Sequence, residues 1–266
     1  MTGAAVRRRP EDVLWFDGPA AYLRLGDGGP WLRGVALGAV GRYADAARVL
    51  RPLRTSSALS ALASHARQVG RHEEAAGLDA RALRLAATSD ERADAAVGLV
   101  ADAVGVGDAA AAATCLAVAA DLVSAVGEPA WRARTRLAWV RAELALLNGV
   151  PGDAVRAADT ARGEATAAGA RRHVAKSLLM RGVAQSTCGD RERAVADLLA
   201  ALDQAQALGL VPLVWPAALV AARLLPDRAA GLRATAADAA RRVADGLEER
   251  ADEFVARPEI ADLLAR

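Results

Sequence analysis

The chain has 266 residues, enough for one elongated solenoid or for one or two compact domains. Hydrophobic residues make up 53 % but aromatics only 3 %, so the core must be built from Ala, Leu and Val around a few large anchors. Basic residues number 34 and acidic ones 32, and this net charge of +2 lacks the surplus of a dedicated nucleic-acid binder. Lys176 is the only lysine, so 33 of the basic residues are arginine. That usage reads as the codon bias of a GC-rich genome, ahead of an arginine-rich recognition surface. Cys115 and Cys188 have no metal-ligand spacing and read as small buried residues in a reducing cytoplasm.

Residues 1–29 stand apart as a tail with a short cap. Arg7, Arg8 and Arg9 are followed by Pro10, Glu11 and Asp12 and not by an apolar run, so no secretory signal is visible. Val13, Leu14, Trp15 and Phe16, then Tyr22, Leu23 and Leu25, predict one or two short helices covering the open end of the helical segment that begins near residue 30. Beyond Gly28-Gly29-Pro30 one phrase recurs five times: VGRYADAA at 40–47, VGRHEEAA at 69–76, VGDAAAA at 106–112, NGVPGDAV at 148–155 and CGDRERAV at 188–195. Its glycines, Gly41, Gly70, Gly107, Gly149 and Gly189, are 29, 37, 42 and 40 residues apart.

Glycine can take the left-handed conformation that ends one helix. Asp, Glu or Pro just after it favours the start of the next. A small residue five positions past the glycine (Ala46, Ala75, Ala112, Ala154, Ala194) lets the second helix pack closely on the first. Apolar residues flank each turn with a helical period, as in Leu59, Leu62, Ala63 and Ala66 before Gly70 and Ala75, Leu78, Ala82 and Leu85 after it. No run of alternating β-branched residues predicts a strand. The uncharged run 204–222 contains Gln204, Gln206, Pro212 and Pro216, so it reads as a helix end, a turn and a helix start and not as a membrane span. Pro226-Asp227 and a helical pattern near 228–256 follow, then Arg257-Pro258-Glu259 opening a last turn.

With small residues also at Gly34, Ala63, Ala142 and Gly182 in the first helices, the sequence over about 30–225 resembles the tetratricopeptide repeat family in a degenerate bacterial form with extended repeats. The resemblance implies an all-α, right-handed superhelical solenoid of antiparallel helix pairs. It would have five to six repeats over 30–225 and capping helices over 226–266. Two departures are the last spacings, longer than the family's, and the lack of proline at most repeat ends.

Catalytic motifs are missing from the sequence. No nucleophile-elbow serine, phosphate loop or zinc-protease motif occurs. His65 and His72 straddle the Gly70 turn, so they do not predict a common metal site, and His72 stands where the first repeat has Tyr43. His173 follows Arg171 and Arg172 at a helix start and is expected to be exposed. Acidic residues such as Asp45, Glu73, Glu74, Asp153 and Asp190 sit at helix starts, where the helix dipole explains them. No catalytic residue, cofactor or metal is expected, and the helix after Gly70 is too acidic for a DNA reader.

In such a superhelix the first helix of each pair lines the concave face. That places Trp31 and Val35, then Ser60, Ser64 and Arg67, then Asp94, Val97 and Ala101 in the groove. Arg136, Trp139 and Glu143 follow, then Lys176, Leu179 and Val183. A tryptophan beside arginines has the composition of a recognition hot spot, so Trp31, Arg67, Arg136, Trp139, Glu143 and Lys176 are the candidate partner-binding residues. The carboxylate clamp of some peptide-binding members is not reproduced, because the matching positions carry Ser, Val, Trp and Leu. The reading is a cytoplasmic, non-enzymatic scaffold or adaptor that binds a protein or peptide through the groove. Neither nucleic acid nor membrane is expected, and self-association is left open. The alternative is a regulatory sensor holding a small ligand or signal peptide inside the superhelix, which a closed cavity around Trp139 would favour.

Overall fold

The computed structural model describes residues 9–26 and 28–265. The described residues form sixteen α-helices and no strand. α1 (Pro10–Asp12) runs into a π-helical turn at Val13–Asp17, and α2 (Pro19–Leu25) follows. Six antiparallel hairpins come next. They are α3 (Pro30–Ala39) with α4 (Tyr43–Leu50), α5 (Ser56–Gln68) with α6 (His72–Leu85), and α7 (Ser89–Gly105) with α8 (Ala109–Ser124). Then come α9 (Trp131–Leu147) with α10 (Pro151–Ala167), α11 (Arg171–Thr187) with α12 (Arg191–Leu208), and α13 (Val211–Leu224) with α14 (Ala229–Asp245). α15 (Ala251–Val255) and α16 (Pro258–Leu264) pack on α14. The fold is an all-α solenoid of tetratricopeptide-like helix pairs. No helix among the described residues is long and apolar enough to cross a membrane.

The repeated phrase is the hairpin turn. Its five glycines have φ of +86°, +85°, +79°, +70° and +80° in chain order. At the first, the Arg42 N–H reaches back to the Leu37 carbonyl at 2.9 Å, closing the left-handed cap that satisfies a helix-end carbonyl. Gly169 and Gly209 use the same device, with φ of +69° and +70°, to link one pair to the next. The five alanines past the turns are fully buried, as are Ala82, Ala119 and Ala161, each seven residues further along the same second helix. One buried methyl contributes only about 0.8 kcal/mol. The stack therefore holds by many close helix contacts rather than by a few large side chains.

The superhelix closes on itself. The Ala44 N–H donates to the Gly246 carbonyl at 2.8 Å, and Arg48 pairs with Glu248 at 2.9 Å. Arg71 reaches Glu253 at 2.8 Å and Arg250 reaches Glu74 at 3.3 Å. Ala39, Tyr43 and Val69 near the start share one apolar core with Leu210, Val211 and Val243 near the end. A Cβ on Gly246 would lie 1.9 Å from the Gly41 carbonyl oxygen, so glycine is what lets the two backbones touch. The π turn crosses from the first pairs to α11.

The two cysteines differ from expectation. Cys188 is exposed because it ends α11 at the turn, and Cys115 is half-buried at the margin of the core shared by α7, α8 and α9.

Candidate functional site

The first helices surround an interior cavity of about 170 Å³. α3, α5, α7, α9 and α11 each contribute to its wall, the start of α13 supplies Pro212 and Leu213, and Trp15 of the π turn covers it. A larger groove of about 950 Å³ lies at the seam between α4, α6 and residues 247–250, away from most of the candidate residues.

The centre of the wall is Trp139, only 8 % exposed. One face of α11 embraces it through positions i, i+3 and i+4. The His173 ring stacks on the indole at 5.3 Å and 10°, and Lys176 Nζ stands 4.3 Å from the ring centroid. The indole N–H donates to Ser177 Oγ at 2.8 Å, and that hydroxyl donates to the His173 carbonyl at 2.8 Å. Trp131 and Trp15 meet the same histidine edge-on at 4.9 and 5.5 Å. His173 is thus 4 % exposed, contrary to the expectation of exposure at a helix start. The helix begins inside the superhelix, and three indoles enclose the ring. Burial, reinforced by the arginines and lysine around it, holds the His173 pKa well below 6.5, so the ring is neutral. His65, packed on Tyr43 at 5.5 Å, is likewise pushed down to about 3 by burial.

The charged residues sort into ties between neighbouring pairs. Arg67 Nε donates to Asp102 at 2.7 Å, and its Nη2 pairs with Asp79, so one guanidinium joins α5, α6 and α7. Two carboxylates share that cation, and burial lifts the Asp79 pKa to about 7 against the pull of Arg67. A Cβ on Gly98 would lie 1.9 Å from Asp79 Oδ2, so this glycine makes room for the carboxylate. Asp94 on α7 accepts from both Arg132, at 2.5 Å, and Arg136 on α9. Those two arginines hold its pKa down although burial acts to raise it.

Of the candidate residues, Trp31, Arg67, Arg136, Trp139 and Lys176 line the cavity. Glu143 does not line it and stands 3.8 Å from Lys176. Trp31 donates its indole N–H to the Ser57 carbonyl at 3.1 Å. Val35, Ser60, Ser64 and Asp94 also line the cavity, whereas Val97 and Leu179 turn into the helix-pair cores. Sequence reasoning left out Trp15, Arg172 and His173. The spacing of His173, Lys176 and Ser177 on one helical face was a usable signal. The crossing of Trp15 onto α11 had none, because it is set by a contact more than 150 residues away in sequence, a separation that no local pattern encodes.

No protein-family model matches the sequence, and no curated protein matches it. Among solved structures the chain is similar to aspartyl phosphate phosphatase F from Bacillus subtilis. The TM-score is 0.55 at 11 % identity, covering 92 % of this chain and 62 % of that one. It is also similar to the apo form of RapI, with a TM-score of 0.49 at 11 % identity, covering 96 % of this chain and 76 % of that one. The first likeness supports the helical-repeat fold. The chain spans about 62 % of the phosphatase's length.

Proposed function

We propose that the chain is a non-enzymatic binding scaffold whose ligand, a short peptide end or a small molecule, enters the interior of the superhelix. The observation that carries this is the cavity beside Trp139, walled by five first helices and crossed by Trp15 of the π turn. An open groove for a long protein segment fits less well, because Trp15 and the start of α13 stand across it. At about 30 Å³ per water, 170 Å³ holds five or six waters, the volume of one side chain or peptide terminus. Ligand pockets more often run to several hundred Å³, so a longer ligand would enter by displacing the π turn. This supports the sensor form of the reading: occupancy of the cavity and the position of the N-terminal turn would be coupled.

The phosphatase's name raises hydrolysis as a rival. We propose binding instead, because Asp94 is held between two arginines, and burial pushes the pKa values of the cavity's histidines so far down that they are weak bases. Neither is a base matched to neutral pH. The partner class is protein or peptide, and the setting we propose is the cytoplasm.

A cavity-filling Ser64→Phe variant tests the reading. Its Tm should stay near wild type, while ligand-dependent changes in tryptophan fluorescence on titration with short peptides should disappear. Should wild type and Ser64→Phe respond identically and capture the same proteins, the ligand does not enter the interior and the open-groove adaptor reading takes its place.

A further inference from the structure

We propose that the interior cavity seats an anionic group of its ligand, a carboxylate or phosphate, against Arg172, Arg132 and Lys176, with the Trp139 indole beside it as an apolar wall. This rests on the reading that a ligand enters the interior, and it adds the ligand's chemical class.

The charges of the wall do not balance. Five cations line it, Arg67, Arg132, Arg136, Arg172 and Lys176, and one carboxylate, Asp94. Arg67 is answered by Asp79 and Asp102, and Lys176 stands 3.8 Å from Glu143. Asp94 is a single charge shared by Arg132 and Arg136. No carboxylate among the described residues pairs with Arg172. Its guanidinium carbon lies 5.8 Å from the centroid of the Trp15 ring, and that of Arg132 lies 5.5 Å from the same centroid, so two cations meet at one indole. Surplus positive charge is thus confined to a small space with aromatic walls.

Two further observations point the same way. His173 and His65, both lining the cavity and both more than nine-tenths buried, have Nδ1 atoms with no hydrogen-bond partner among the described residues. Buried polar atoms are rarely left so, which marks the lining beside Arg172 as incompletely satisfied. Separately, burial and the neighbouring arginines push Arg172 down to about 10 and lower Arg136 and Lys176. Cations that destabilise one another in a buried site weaken the fold unless something offsets them. An anion does so directly, and arginine's planar fork suits carboxylate or phosphate oxygens.

The anion can be the end of a peptide or a free small ion, and two arms separate these. Thermal shift and tryptophan fluorescence are recorded on the full chain at constant chloride-adjusted ionic strength. The probes are N-acetyl-Ala-Leu with a free carboxylate, the same dipeptide as its amide, and inorganic phosphate. The expected result is a saturable response to the acid and none to the amide. Phosphate should bind as well if the free ion is the source, and more weakly than the acid if it is a peptide terminus.

Arg172→Gln should weaken acid binding by about tenfold or more, as loss of a hydrogen bond to a charged group does. In phosphate-free buffer its Tm should equal or exceed that of wild type. The exposed Arg141→Gln should bind as wild type does, which separates the site from general attraction. Equal responses to acid and amide, both abolished by Ser64→Phe, would overturn the anion seat and leave the cavity reading intact. No response to any probe would overturn both. Wild-type affinity in Arg172→Gln, equal loss in Arg141→Gln, or a lowered Tm of Arg172→Gln in phosphate-free buffer would each overturn the seat.

Discussion

The repeat stack from α5 to α12 and the seam where α4 and α6 meet residues 246–253 hold the same solenoid together in different ways. In the stack, neighbouring pairs touch through fully buried alanines and are tied on the lumen side by shielded ion pairs such as Arg67 with Asp79 and Asp102. At the seam the ties are one backbone hydrogen bond, close backbone approach at Gly246, and ion pairs open to solvent such as Arg48 with Glu248. Solvent screens the second kind of pair and not the first. The stack should therefore carry most of the stability, while the seam sets whether the ring is closed.

The sharpest test of this contrast is Arg67→Met. It removes the cation from two buried carboxylates, and breaking a buried pair from one side costs about 3–5 kcal/mol. Chemical denaturation should show a large loss of stability, and a loss below about 1 kcal/mol would mean that the lumen ties are not what hold the stack. Next comes Gly246→Ala. The added methyl meets backbone that cannot swing aside, so a cost of about 1–3 kcal/mol is expected, as for overpacking elsewhere. Small-angle scattering should show a larger radius with helix content by circular dichroism unchanged, and an unchanged radius would show that the seam does not hold the ring shut. The smallest effect is expected for Arg48→Gln, whose pair with Glu248 is exposed on both sides. Its Tm should match wild type, and a clear fall would place the seam's ion pairs on a par with the stack.

Much of the site could be placed from the spacing of side chains on first helices. Trp31, Arg67, Arg136, Trp139 and Lys176 fall on the lumen because helical period and hairpin order decide which face turns inward. What those side chains touch there did not follow from the spacing. Arg67 and Arg136 look from the sequence like free recognition arginines, yet each is engaged by carboxylates on a neighbouring helix. Arg172, set between His173 and another arginine at a helix start, looks like an ordinary solvated charge and is a cation on the wall with no carboxylate beside it among the described residues.

The sequence by itself determined the helices, their order and their turns. Glycine at positive φ, the acidic or proline residue after it and the small residue further on act over fewer than ten residues, so a repeated phrase is enough to specify a repeated hairpin. Only the tertiary structure decided that the solenoid closes, that Trp15 and His173 meet, and that positive charge gathers in the lumen. Each of these depends on the small rotation between successive pairs, summed over six hairpins. That sum is fixed by packing at every interface together, and no single stretch of sequence carries it.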